Sequence, residues 1–105
     1  MKVTVLGAGA WGTALARLLC GGDAAATLWG HDAARIEVLR RTRRNERYLP
    51  GIELPPALEL ETDLAKSVQD RDCIIVAVPS KALRHVSESL RDFGGIVVSV
   101  TKGIE

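Results

Sequence analysis

The chain is poor in cysteine, in aromatic residues and in net charge, and it has no long apolar run. Only two cysteines occur in its 105 residues, Cys20 and Cys73. Neither has metal-ligand spacing or a histidine close in sequence, which argues against a metal centre and against a disulfide-built scaffold. Both are read as buried free thiols in a reducing, cytoplasmic setting. Two tryptophans, one tyrosine and one phenylalanine are too few to interleave with basic side chains as a nucleic-acid surface requires. A formal net charge of +1 gives no general pull toward nucleic acid or an anionic membrane. No apolar run approaches the roughly 20 residues that span a bilayer. The apolar start, residues 1–7, is too short for a secretory leader and reads better as a strand. Repeats and low-complexity tracts are absent. What remains is an ordinary globular composition, 47% apolar and 26% charged, fitting one compact domain over residues 1–105.

Against that plain background, Gly7-Ala8-Gly9-Ala10-Trp11-Gly12 stands out as a G-x-G-x-x-G sequence. Glycines are common, so the spacing alone is weak. Its setting is stronger: the apolar run Val3-Thr4-Val5-Leu6 precedes it and a helical pattern follows. A strand, this turn and a helix form the fingerprint of a dinucleotide-binding unit. The first glycine permits a tight turn, the second lets backbone approach a pyrophosphate, and the third lets helix pack closely on strand. N–H groups at the helix start, with the helix dipole, would favour phosphate there. The plain alternative is a glycine-rich turn with no ligand.

Along the chain, strand and helix patterns alternate. Trp11, Ala14, Leu15, Leu18 and Leu19 recur at helical spacing, and Gly21-Gly22 stops that helix. Residues 26–29 suggest a second strand, and Asp32 can cap a helix bearing Ile36 and Leu39. Residues 40–56 read as a mostly irregular connection. Residues 58–61 suggest a third strand, followed by a helix capped by Thr62 or Asp63 and bearing Leu64, Ala65 and Val68. Residues 73–78 form a continuous apolar run, expected as a central parallel strand. Ser80 can cap a helix with Leu83, Val86 and Leu90 on one face, and residues 96–100 give a fifth strand. This alternation predicts an α/β, Rossmann-type fold: a doubly wound parallel sheet in three αβα layers, strand order 3-2-1-4-5. The order reverses between strands one and four. A ligand is expected in the crevice there, beyond the carboxyl ends of the strands. Gly7–Gly12, Val78-Pro79-Ser80 and Thr101-Lys102-Gly103 converge on it.

An acidic residue some 20 positions past such glycines commonly meets the adenosine ribose. Asp32 has that spacing and favours NAD, whereas His31 and Arg35 beside it could meet the 2′-phosphate of NADP. Asp32 can equally be a plain helix cap, and the two roles are compatible. Arg40, Arg41, Arg43, Arg44 and Arg47 make a basic cluster, diluted by Glu46 and read as a solvated surface from which one arginine could help hold a cofactor phosphate. Lys102, just past the fifth strand, is placed to contact a phosphate or a polar substrate group. His85 lies off the apolar stripe of its helix and reads as a surface residue.

A run of longer segments resembles one family over the whole chain. The glycine turn with Thr13-Ala14-Leu15-Ala16 looks like the opening of bacterial NAD(P)-dependent glycerol-3-phosphate dehydrogenases. Leu28-Trp29-Gly30-His31, Asn45 with Tyr48-Leu49-Pro50-Gly51, Ala77-Val78-Pro79-Ser80, and Thr101-Lys102-Gly103-Ile104-Glu105 resemble that family's later segments in order. The second and fourth of these are the selective ones. The resemblance implies interconversion of dihydroxyacetone phosphate and sn-glycerol 3-phosphate, feeding phospholipid synthesis. It implies a cofactor site lined by Ala10, Trp11, His31, Tyr48 and Lys102, with Lys102 also reaching the substrate. The family's general base is a lysine of a second, helical domain. No catalytic residue is therefore expected in this chain, which reads as the cofactor-binding domain alone. Family habit favours NADP, whereas Asp32, where many relatives carry Arg, favours NAD. The expected cofactor is NADP or NAD, with the balance toward NADP; the expected partner is a small molecule, with no nucleic acid, membrane span or metal. Another dehydrogenase with the same glycine turn, or a non-enzymatic nucleotide-binding module, is the alternative.

Overall fold

A computed structural model describes residues 1–100 of the chain. Strands and helices alternate as β1 (Lys2–Leu6), α1 (Ala10–Cys20), β2 (Ala25–Trp29), α2 (Ala33–Thr42), β3 (Glu59–Glu61), α3 (Leu64–Val68), β4 (Cys73–Val76), α4 (Ser80–Ser89) and β5 (Ile96–Ser99). The strands form a five-stranded sheet in the order β3-β2-β1-β4-β5. All four neighbouring pairs are parallel. β1 is central, with Val5 opposite Leu28 of β2 and Ile75 of β4. The order reverses at β1, as the alternation predicts.

Alternation of side chains along the strands divides the core between the two faces of the sheet. On one face Val5, Ala26 and Leu28 pack with Ala16 of α1 and Ile36 and Leu39 of α2. On the other, Leu6, Trp29, Ile74 and Val76 pack with Val86 of α4 and, less deeply, Leu64 and Val68 of α3. Trp29 satisfies its indole N–H by donating to the Thr62 carbonyl at 3.0 Å. Among the described residues, no helix is long and apolar enough to cross a membrane.

Several local expectations are corrected. The buried face of α1 is Gly12, Thr13 and Ala16, not a stripe of large residues; Trp11 and Leu18 point outward, at 57% and 73% exposure. Small residues win that face because the helix lies close on β1 and β2. β4 stops at Val76 instead of continuing to residue 78, although Val78 stays buried. Pro79, not Ser80, is the N-cap of α4, and Ser80 is already helical. Its fixed φ of −61° suits the extended cap position, and its missing N–H leaves no orphan donor there. α2 runs on to Thr42, so the connection to β3 begins later than residue 40 and is pinned by an antiparallel bridge between Arg44 and Glu53. β3 begins at Glu59 and β5 ends at Ser99. Ala65 is exposed, and the buried residue of α3 is Ser67. Cys20 and Cys73 are free thiols but only half-buried. Burial pushes the Cys20 thiol above its ordinary pKa, outweighing a hydrogen bond from Ala26 and the charge of Arg43.

Candidate functional site

The glycine turn joins β1 to α1 at the carboxyl end of the sheet, and the three glycines serve different ends. Gly7 has φ +125°, and a Cβ there would lie 2.5 Å from the Ala77 carbonyl oxygen. It is the point where the turns leaving β1 and β4 touch. A Cβ on Gly12 would collide with the Gly7 carbonyl, so this glycine lets α1 start directly over the turn. Gly9 differs. It is the N-cap of α1, extended at φ −79° and ψ −166°, with no side chain capping the helix. A Cβ built on it meets no heavy atom within 4 Å. Among the described residues no contact requires glycine at Gly9, and the side it faces is open to them at a helix N-terminus. An anion bound close to backbone is what such a cradle suits. Ala10 and Trp11 open the helix beside it, both exposed.

β2 delivers His31 and Asp32 to the same end of the sheet. Both are exposed. The Asp32 carboxylate caps α2, accepting from the N–H of Ala34 at 3.1 Å and of Arg35 at 3.3 Å. The cap reading is thus correct, and it draws one carboxylate oxygen, Oδ1, toward the helix. Arg35, expected to be available, is engaged: its Nη2 donates to Asn45 Oδ1 at 3.0 Å. Its guanidinium also lies 4.7 Å from the centre of the Tyr48 ring, with Arg47 5.3 Å from the same centre. Both distances suit cation–π attraction. Tyr48 is 40% exposed and sits in a turn held by its own N–H and that of Leu49 on the Asn45 carbonyl, at 3.2 and 2.7 Å.

The basic cluster is not simply a solvated face. Arg40 donates through Nε and Nη2 to the Leu60 carbonyl, at 3.2 and 2.7 Å. Arg43 Nη1 reaches the Leu58 carbonyl at 2.7 Å. These two arginines stitch α2 to the strand after the connection. Arg44 pairs with Glu46 at 3.4 Å on the surface.

Pro79 lies exposed at the carboxyl end of β4, across the crevice from the glycine turn. Lys102, with Thr101 and Gly103, lies outside the described residues. His85 is exposed on α4, as read. The residue that sequence reasoning undervalued is Asn45, only 1% exposed. Its signal was faint: one asparagine in a polar connection. A hollow of about 800 Å³ bordered by Val68, Asp72, Phe93 and Gly95 lies at the opposite, amino end of the strands and has no part in this site. No three His, Cys, Asp or Glu side chains among the described residues converge as metal ligands would.

A doubly wound parallel sheet with an open glycine cradle at its switch point defines a dinucleotide-binding unit of the Rossmann type. Residues 2–105 match the family model described as NAD-dependent glycerol-3-phosphate dehydrogenase N-terminus, and the chain belongs to that family. It is 48% identical over its whole length to a glycerol-3-phosphate dehydrogenase [NAD(P)+] of Anaeromyxobacter sp. (strain K), covering 32% of that protein. The corresponding Chlorobium phaeobacteroides (strain BS1) protein is 45% identical, also with 32% covered. The chain thus spans about a third of the length of these relatives. In solved structures, the Coxiella burnetii glycerol-3-phosphate dehydrogenase superposes with a TM-score of 0.88 at 30% identity, over 96% of this chain and 32% of that one. The Saccharomyces cerevisiae enzyme gives 0.84 at 29% identity, over 100% of this chain and 34% of that one.

Proposed function

We propose that this chain is the cofactor-binding part of an enzyme that interconverts dihydroxyacetone phosphate and sn-glycerol 3-phosphate with NADP or NAD, in the cytoplasm, for glycerophospholipid synthesis. The observation that carries the reading is the space at Gly9, which no contact among the described residues explains. Gly7, Gly9 and Gly12 shape the pyrophosphate turn, with N–H groups of Ala10 and Trp11 at the helix start beside it. His31, Asp32 and Tyr48 border the adenosine side, and Pro79 closes the crevice across the sheet. Lys102 is assigned to the cofactor and to the substrate on the family resemblance, in keeping with its place in sequence after the fifth strand. Two free thiols suit a reducing compartment.

When bound, a nicotinamide cofactor would supply the hydride. The ketone oxygen then needs a proton, and a positioned acid is required for a competent rate. Among the described residues His31, Asp32 and Tyr48 are assigned to the adenosine side, away from the reacting ketone, and His85 is an exposed residue in the middle of α4. In the family resembled, most contacts that orient the phosphorylated ketone come from a second, helical domain, so the gain from positioning would be missing as well. The chain by itself is therefore expected to bind the cofactor without turning it over. The test follows NADPH absorbance with millimolar dihydroxyacetone phosphate and the purified chain, beside a titration of the same sample with NADPH. Saturable binding with no oxidation supports the proposal. Turnover abolished by Lys102→Ala would relocate the catalytic lysine into this chain, and absence of binding would reject the cofactor role.

A further inference from the structure

Asparagine in a connection normally faces water or its own backbone. Asn45 does neither with its side chain. Buried at 1% exposure, it donates from Nδ2 to the Ala8 carbonyl at 3.0 Å and to Thr13 Oγ1 at 2.8 Å. It accepts at Oδ1 from Arg35 Nη2 at 3.0 Å. Both amide hydrogens and the carbonyl oxygen are used. The orientation of the amide is also fixed, since a flip would set its oxygen against the Ala8 carbonyl and its NH₂ against the guanidinium. Meanwhile the backbone carbonyl of Asn45 accepts from Tyr48 and Leu49. One buried residue therefore ties the glycine turn (Ala8), the first turn of α1 (Thr13), the first turn of α2 (Arg35) and the turn presenting Tyr48.

The consequence falls on Arg35. A free arginine side chain samples many rotamers, and ordering it on ligand binding weakens the interaction. Here the guanidinium is held from one edge by Asn45 and lies over the face of Tyr48. The Asn45 contact uses one of its five N–H donors. It stands in the first turn of the helix after β2, where Rossmann folds read the substituent on the adenosine ribose. Asp32, three residues earlier, has an oxygen committed to the cap.

We propose that Asn45 is a positioning residue that locks the Arg35 guanidinium over Tyr48 in register with the glycine turn, and so contributes to discrimination between cofactors with and without a 2′-phosphate. The inference rests on the cofactor-binding reading above. Its test measures the dissociation constants of NADP and NAD for the 105-residue chain and for Asn45→Ala, Arg35→Ala, the double variant and Arg35→Lys. The readout is the ratio of the NAD to the NADP constant, which a merely structural residue leaves alone because it weakens both. Asn45→Ala and Arg35→Ala should each lower the ratio about fivefold, and the double variant should fall no further than Arg35→Ala, since the two act as one unit. Arg35→Lys keeps the charge but loses the planar fork; it should lower the ratio too, and it serves where Asn45→Ala does not fold. An unchanged ratio in Asn45→Ala or in Arg35→Lys, or effects that multiply in the double variant, overturns the proposal. A wild-type chain that binds NADP and NAD equally well overturns the discrimination alone, whereas one that binds neither overturns the cofactor role itself.

Discussion

Replacing Gly9 by valine separates binding from folding more cleanly than any other change in the glycine turn. The backbone at Gly9, φ −79° and ψ −166°, is one that valine adopts without strain. A Cβ there meets no described atom within 4 Å, so no core contact is lost and the branch starts in open space. Two small terms act on stability with opposite sign. Glycine is a better N-cap than valine, by up to about 1 kcal/mol. Losing glycine's freedom in the unfolded chain returns roughly 0.4–1 kcal/mol. The net change should lie within about 0.5 kcal/mol, a shift in melting temperature of no more than about 4 °C for a domain of this size. Binding has no such compensation. The branched side chain would fill the space beside the helix N-terminus that the proposed function gives to the pyrophosphate, and affinity for NADP or NAD should drop at least tenfold, about 1.4 kcal/mol. Titration calorimetry and thermal unfolding on the same preparations decide the matter. Unchanged affinity in a folded Gly9→Val chain would refute the phosphate cradle. Large destabilisation would show that glycine is needed there for the fold.

Gly12→Ala should do the reverse, because its Cβ collides with the Gly7 carbonyl; a loss of about 3 kcal/mol is expected in urea unfolding, and a stability near wild type would mean that α1 can shift without cost. NADP should bind more tightly than NAD at low ionic strength, and the gap should narrow as salt screens the 2′-phosphate from His31 and Arg35; a preference for NAD would assign the recognition to Asp32. The Cys20 thiol, pushed up by burial, stays protonated to higher pH than an ordinary thiol. Iodoacetamide should therefore alkylate it more slowly than free cysteine at mildly alkaline pH, with the rate still rising beyond the ordinary thiol range; a rate equal to free cysteine would contradict the burial.

Strand order and the place of the crevice follow from patterns that repeat: short β-branched runs, glycine punctuation, and a helix between each strand and the next, as parallel strands require. Three kinds of contact carry no such repeat. On α1, hydrophobic periodicity points to Trp11 and Leu18, while close packing on a sheet rewards Gly12, Thr13 and Ala16. Arg40 and Arg43 read as a charged surface because their acceptors, the Leu60 and Leu58 carbonyls, lie 15 to 20 residues away. Asn45 was visible only as part of a family-like segment, since nothing local announces that its amide reaches Ala8, 37 residues earlier. Such long-range polar pairings are fixed by the fold and do not show as periodicity in the chain.

The glycine turn shows the same limit from the other side. Gly7, Gly9 and Gly12 are equal in the sequence, and a motif counts them equally. In the structure Gly7 and Gly12 are required by backbone within the protein, the Ala77 carbonyl and the Gly7 carbonyl respectively. A βα turn with no ligand could need both for packing alone. Gly9 is the exception, because its backbone is ordinary and its surroundings are open. The weight of the functional reading therefore falls on a single glycine. Gly30 sharpens the contrast: it lies outside the motif, yet a Cβ there would press to 2.8 Å on Ile36 and 3.1 Å on Ala8. Packing can account for glycine at Gly7, Gly12 and Gly30. At Gly9 no described side chain or backbone demands it; a modest preference for glycine at the N-cap remains, beside the room it leaves for a ligand.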